Sequence, residues 1–266
     1  MTVQGPRDLA TGQNRSLSEL RAGLIQAIEG AGPESVAAFI VEPVCFAGGM
    51  VIPPEGYLEM VAAVCRHFDV LTIVDEIITG FGRSGRWFCF QHSSGFVPDI
   101  VTLGKGITSA YYPLSAVAVQ AAIYTSFATV GNALSKVITM AGHPVGCDIA
   151  LKNIAIMERD DLVGRVARNA EALSRLGTLR DVCGVRDVRG LGHMWGIEFA
   201  GVGPDPFAAR CALAEAVRSA CLSKGLIILR IENVLRLNPP LTITPDEVAF
   251  VVDTVVDAVR STAATT

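Results

Sequence analysis

The chain has 266 residues, half of them hydrophobic, and its 18% charged fraction falls below the ~25% of an average soluble domain. That composition excludes disorder, and a net charge of −4 withholds the basic face that nucleic-acid phosphates require. The first sixteen residues lack a signal peptide's apolar core, and no apolar run approaches the ~18 residues of a membrane span.

Ser16-Leu-Ser-Glu19 reads as a capping box opening a helix whose face is marked by Leu20, Leu24, Ile25 and Ile28 and which ends at Gly30 and Gly32-Pro33. Val36–Val41 has strand length and stops at Glu42-Pro43. Pro53-Pro54 opens a helix over Glu55–Phe68, followed by strands at Val70–Val74, Ile100–Leu103 and Leu114–Val119. Continuous Val/Ile/Leu runs of this length predict strands covered on both faces, so the fold class is α/β with a mostly parallel sheet. Beyond Pro144, helices are predicted at Asp148–Glu158, Asp161–Leu176 and Pro206–Lys224. Strands are predicted at Val182–Val188, Trp195–Phe199, Leu226–Ile231 and Val234–Leu237. A second capping box at Thr244-Pro-Asp-Glu247 opens a helix to about Ser261. A boundary near 145–160 divides the chain into domains 1–150 and 151–266.

Three predicted strands run into a charged residue: Glu42, Asp75 and Lys105. Ligands of open α/β sheets bind beyond the carboxyl ends of the strands, so the three can converge on one site. Asp75 follows Leu-Thr-Ile-Val and, half buried, needs a cation or several donors; alternatively it caps a loop or pairs with Arg83 or Arg86. Lys105 stands between two glycines, where a desolvated amine can form a Schiff base or simply occupy an exposed turn. Gly80-Phe-Gly82-Arg-Ser-Gly85 matches a dinucleotide fingerprint, with Asp99 downstream, but no helical periodicity follows it, which argues against that use. Seven cysteines without a C-x-x-C pair read as reduced thiols of a cytoplasmic protein, and four histidines without ligand spacing predict no metal site.

Taken together, VAAFIVEPVCFAGGMVIPPEGYL (36–58), LTIVDEIITGFGRSGRWF (71–88), VPDIVTLGKGITSAYYPLSAV (97–117), AGHPVG (141–146), DVRGLGHMWGIEFA (187–200) and VLRLNPPLTIT (234–244) resemble the class III aminotransferases. The resemblance implies the fold type I architecture of pyridoxal 5'-phosphate (PLP) enzymes, here a partial large domain and a C-terminal α+β small domain. It implies that Lys105 forms the Schiff base with PLP and shuttles a proton, that Asp75 pairs with the pyridinium N–H, and that Ile77 packs on the ring. Thr139 matches the threonine reaching the cofactor phosphate of a neighbouring subunit, implying a homodimer with shared sites, and Arg236 matches the arginine that holds a substrate carboxylate. Glu42 and His143 match family positions and are assigned structural roles.

Ala47, Ile78 and Ser109-Ala-Tyr-Tyr-Pro-Leu114 resemble the ω-aminotransferases, which move an amino group from amines or β- and ω-amino acids to pyruvate or a similar 2-oxo acid. In the family the Glu-Pro motif stands near mid-chain, whereas here it begins at Glu42. The expectation is therefore a chain lacking the family's N-terminal portion, including the Gly-Ser segment that cradles the cofactor phosphate. Leu134–Ile138 also departs from the family's Phe and His-Gly. Two functions follow: an active aminotransferase, or a non-catalytic remnant or partner subunit that keeps the dimer surface. An open sheet edge beside missing strands predicts poor solubility for the isolated chain.

Overall fold

The computed structural model describes residues 2–8, 11–129, 138–201 and 204–263; Leu134–Val137, singled out above, lie outside the described residues. The chain forms two compact units: Met1–Pro43, Pro53–Phe81 and Arg86–Asp161 make the first, and Val44–Ile52, Gly82–Gly85 and Leu162–Thr266 the second. No helix among the described residues is long and apolar enough to cross a membrane.

The first unit is built on four strands, β1 (Ala38–Val41), β2 (Leu71–Asp75), β3 (Ile100–Leu103) and β4 (Ala116–Val119), lying side by side in sequence order. β1, β2 and β3 are parallel and β4 runs antiparallel to β3. Helix α1 (Leu17–Ala31) starts at the expected capping box: Ser16 Oγ accepts from Glu19 N, and Glu19 returns a carboxylate oxygen to Ser16 N. Its Leu20, Leu24 and Ile28 recur every four residues and bury one stripe against α2 (Tyr57–His67). The same core takes in Val61, Val64, Cys65 and Val74, so the two helices cover one face of the sheet. Helix α3 (Ala121–Thr129) follows β4, and α4 (Pro144–Arg159) closes the unit.

Asp99 serves the sheet rather than a nucleotide. Its Oδ2 accepts from both the N and Oγ1 of Thr72, at 2.8 and 2.7 Å, and ties the approach to β3 onto β2. No helix opens in the glycine motif downstream of β2. A Cβ at Gly80 would lie 2.7 Å from the Glu76 carbonyl oxygen, so this glycine answers a close backbone approach.

The second unit carries an antiparallel sheet of order β5-β6-β8-β7, formed by β5 (Val185–Leu191), β6 (Met194–Phe199), β7 (Leu229–Ile231) and β8 (Val234–Leu237). Three helices complete it: α5 (Leu162–Ser174), α6 (Pro206–Ser223) and α7 (Pro245–Ala263). The second capping box is present, with Thr244 and Glu247 exchanging hydrogen bonds. Side chains alternate across the sheet: Ile197, Phe199, Leu235 and Leu237 enter the helical core with Val217, Val252 and Val255. Gly196 and Arg236, paired across β6 and β8, point to the other side, where a Cβ at Gly196 would lie 3.0 Å from Met50 Cβ. The segment Val44–Ile52 therefore covers that side, and both faces of β6 are buried.

Candidate functional site

Parallel register brings two of the expected residues to the same edge of the first sheet. Val41 pairs with Val74, and Asp75, the last residue of β2, pairs with Thr102, three residues before Lys105. Asp75 Oδ1 accepts from Ile77 N at 2.9 Å, and its Oδ2 takes no hydrogen bond from the described residues. This half-buried carboxylate thus keeps one oxygen for a donor. Ile77 leans across to the neighbouring loop, where a Cβ at Gly104 would lie 3.4 Å from its Cγ2.

Lys105 is exposed and carries φ of 36° at the head of a short 3-10 turn, Lys105–Ile107. Ser109 and Ala110, at 49° and 65°, share the left-handed region. Such a conformation costs a non-glycine residue about 1–2 kcal/mol, and strain of this kind gathers at functional sites. Two features hold the turn. A Cβ at Gly106 would lie 2.8 Å from Phe81 Cβ. Asn153, on α4, donates to the Gly106 and Ile107 carbonyls at 2.9 and 3.2 Å and accepts from Ser109 Oγ at 2.8 Å.

Next to Asp75, Glu76 points the opposite way and is fully buried. It accepts from Phe90 N and Thr79 Oγ1, both neutral donors, and burial pushes its carboxyl above the ordinary range. Thr139 lies in an exposed turn before α4 and makes no hydrogen bond to Asp75, Ile77 or Lys105. His143 is the N-terminal flank of α4, stacked on Tyr112 with 5.8 Å between ring centroids.

Arg236 belongs to the second unit. Only 3% exposed, it donates from Nη2 to the Ala47 carbonyl at 2.8 Å and lies over the Phe46 ring, 5.1 Å from its centroid. Its Nε is buried without a partner. Burial, reinforced by Arg189, lowers its pKa, yet a guanidinium stays charged. Arg236 lines a cleft of about 450 Å³ whose walls are largely apolar, with Phe46, Leu226, Ile228 and Ile243 among them. An arginine set in an apolar cleft can fix the carboxylate of a molecule with a hydrocarbon body.

A buried network on the same side of this sheet went unmarked in the sequence. Arg189 Nη1 donates to Glu198 and Asp187 at 2.8 and 3.0 Å, while its Nε donates to the Gly49 and Met50 carbonyls, each at 3.0 Å. It thereby clamps the segment holding Phe46 and Ala47. The available signal was a strand, Val185–Leu191, that carries Arg186, Asp187 and Arg189 between apolar residues. His193 was likewise passed over. It is fully buried in the turn between β5 and β6, with Nε2 3.4 Å from Asn169 Nδ2, and burial, then Arg83, lowers its pKa to about 4. Among the described residues no cluster of His, Cys, Asp and Glu could hold a metal ion.

A family model described as aminotransferase class-III matches residues 2–259. The chain is 40% identical over 240 residues to the uncharacterized aminotransferase YhxA of Bacillus subtilis (strain 168), across 86% of this chain and 53% of that protein. It is 35% identical over 240 residues to the probable gamma-aminobutyrate transaminase 3, mitochondrial, of Oryza sativa subsp. indica, across 87% of this chain and 46% of the other. The crystal structure of the omega transaminase from Pseudomonas jessenii in complex with PMP superposes with a TM-score of 0.89 at 33% identity, covering 98% of this chain and 60% of that one. The chain spans about half the length of the curated relatives it matches.

Proposed function

This chain belongs to the class III aminotransferase family, and from that premise we propose that it provides the lysine, aspartate and arginine of a PLP-dependent aminotransferase. The reaction moves an amino group from an amine or a β- or ω-amino acid to a 2-oxo acid such as pyruvate. One observation carries the reading: a strained, exposed Lys105 follows the strand next to Asp75, whose carboxylate keeps an oxygen unengaged.

The residues fit the ring end of the cofactor. Asp75 Oδ2, which takes no hydrogen bond from the described residues, would hold the proton of the ring nitrogen, and Ile77, beside the lysine loop, would offer the ring an aliphatic surface. Lys105 Nζ would be the amine that holds the cofactor and the base that moves a proton at the substrate carbon. Bound PLP supplies the electron sink that makes that carbon acidic. Thr139 would meet the phosphate of a cofactor held by a second copy, so the working form is a homodimer. Arg236 holds the carboxylate of the 2-oxo acid or amino acid. Ala47 supports this: it offers Arg236 only a backbone carbonyl and no anion, which leaves the guanidinium's charge to the substrate. The omega and gamma-aminobutyrate transaminases among the similar proteins support donors whose amine is remote from a carboxylate.

Covalent capture tests the reading. The chain is mixed with PLP, reduced with borohydride and mapped by peptide mass. The expected phosphopyridoxyl label sits on Lys105 and disappears in Lys105→Ala; a folded sample with no label at Lys105 overturns it. The second reading is a non-catalytic partner subunit, which that unlabelled result would support.

A further inference from the structure

Left-handed residues stand at both ends of the lysine loop: Lys105 at its head, Ser109 and Ala110 at its tail. Such conformations persist only where the surroundings over-determine them. Backbone bonding does part of this and weakens along the turn. Ile107 N donates to the Gly104 carbonyl at 3.0 Å, Thr108 N to Lys105 at 3.3 Å and Ser109 N to Gly106 at 3.4 Å. Further support comes from Asn153, deep in the 16-residue α4. Asparagine is a poor helix former, because its side chain competes for backbone hydrogen bonds. Here that side chain bonds to another segment: Nδ2 donates to the Gly106 and Ile107 carbonyls, and Oδ1 accepts from Ser109 Oγ. Carbonyls only accept, so the orientation of the carboxamide is dictated by its partners. One group thus reaches the two residues after Lys105 and the left-handed residue that follows them.

We propose that Asn153 is a positioning residue for Lys105: its carboxamide keeps the strained turn in the one conformation that presents Nζ for capture of PLP. The inference rests on the reading of Lys105 as the PLP lysine. Asn153 acts through the Gly106 and Ile107 carbonyls, so its loss leaves the amine in place but lets the backbone beneath it relax out of the left-handed region. Asn153→Ala removes all three bonds. Asn153→Asp keeps the acceptor for Ser109 but turns a second anionic oxygen toward two carbonyls, and should loosen the turn as much as Asn153→Ala does.

The full chain is titrated with PLP, reduced with borohydride and mapped by peptide mass, with Lys224 of the second unit as the reference for non-specific modification. The PLP concentration giving half-maximal label at Lys105 should rise about fivefold or more in both Asn153 variants, with labelling of Lys224 unchanged. In the PLP-free protein the amides of Ile107, Thr108 and Ser109 should exchange with solvent about fivefold faster or more. Ser109→Ala, at an exposed residue, removes only one of the three bonds and should give a smaller shift of the same sign, which keeps the test open if the Asn153 variants do not fold. Ala155→Gly weakens the same helix at an exposed position and should lower Tm without changing capture at Lys105. Equal half-saturation in the wild type and the variants, unchanged exchange of the three amides, or an Ala155→Gly shift as large as that of Asn153→Ala would overturn the inference while leaving Lys105 the labelled residue. A folded wild-type chain with no label at Lys105 would remove the reading beneath it, and the inference with it.

Discussion

Acidification should weaken the second unit through His193, whose unprotonated ring is buried beside Arg83. The unfolded chain takes up a proton at the ordinary 6.5, whereas the folded ring resists until about 4. Between those values the unfolded state holds the extra proton, so stability is fully present above 6.5 and falls as pH drops toward 4. The slope approaches 1.4 kcal/mol per pH unit, and the whole window is worth about 3 kcal/mol. Glu215, held near 2 by Arg218 and then Arg230, adds acid sensitivity only below its ordinary 4.5. Trp195 lies two residues from His193, and in a Trp87→Phe background its fluorescence reports this unit alone. Urea unfolding at closely spaced pH values should show the free energy declining between 6.5 and 4.5. In His193→Gln the slope in that window should flatten, whatever the variant's absolute stability. Parallel pH profiles for the two proteins would refute the assignment.

Two further outcomes follow from the same geometry. Arg189→Met removes one of the two arginines paired with buried Glu198, leaving Arg186 at 3.3 Å, together with the clamp on Gly49 and Met50, and should lower the unfolding free energy of the second unit by about 1.5–3 kcal/mol in the same fluorescence assay. Lys105→Gly releases the left-handed strain and should raise the urea midpoint of the first unit, a gain of about 1 kcal/mol by circular dichroism, while abolishing labelling by PLP and borohydride.

Much of the architecture was readable because local signals and tertiary need coincide. Both capping boxes start helices where the Ser16–Glu19 and Thr244–Glu247 spacings place them, and Ile100–Leu103 and Val234–Leu237 are strands over their full predicted lengths. Misreadings have identifiable causes. The strand predicted at Val182–Val188 begins only at Val185, because Gly184 takes φ of 83° and breaks the run. The run Leu226–Ile231 pairs only from Leu229, its first residues lining the cleft at Arg236. Helix α3 was not foreseen: Ala121–Thr129 mixes β-branched and aromatic residues, and no capping residue announces it. At the candidate site, Asp75 and Lys105 were legible as charges closing apolar runs. Asn153 was not, because its bonds to Gly106 and Ile107 bridge 46–47 positions of sequence and leave no local trace.

The path of the chain between the two units has a consequence for anyone who would recombine it. Because Val44–Ile52 and Gly82–Gly85 belong with Leu162–Thr266, the backbone changes unit five times. A cut after Asp161 would therefore strip the smaller unit of the stretch that seats Met50 and of the glycine-bounded turn whose Arg83 carbonyl receives His193 N. The second unit cannot be exchanged between relatives as one cassette; a working chimera must carry all three pieces from the same parent.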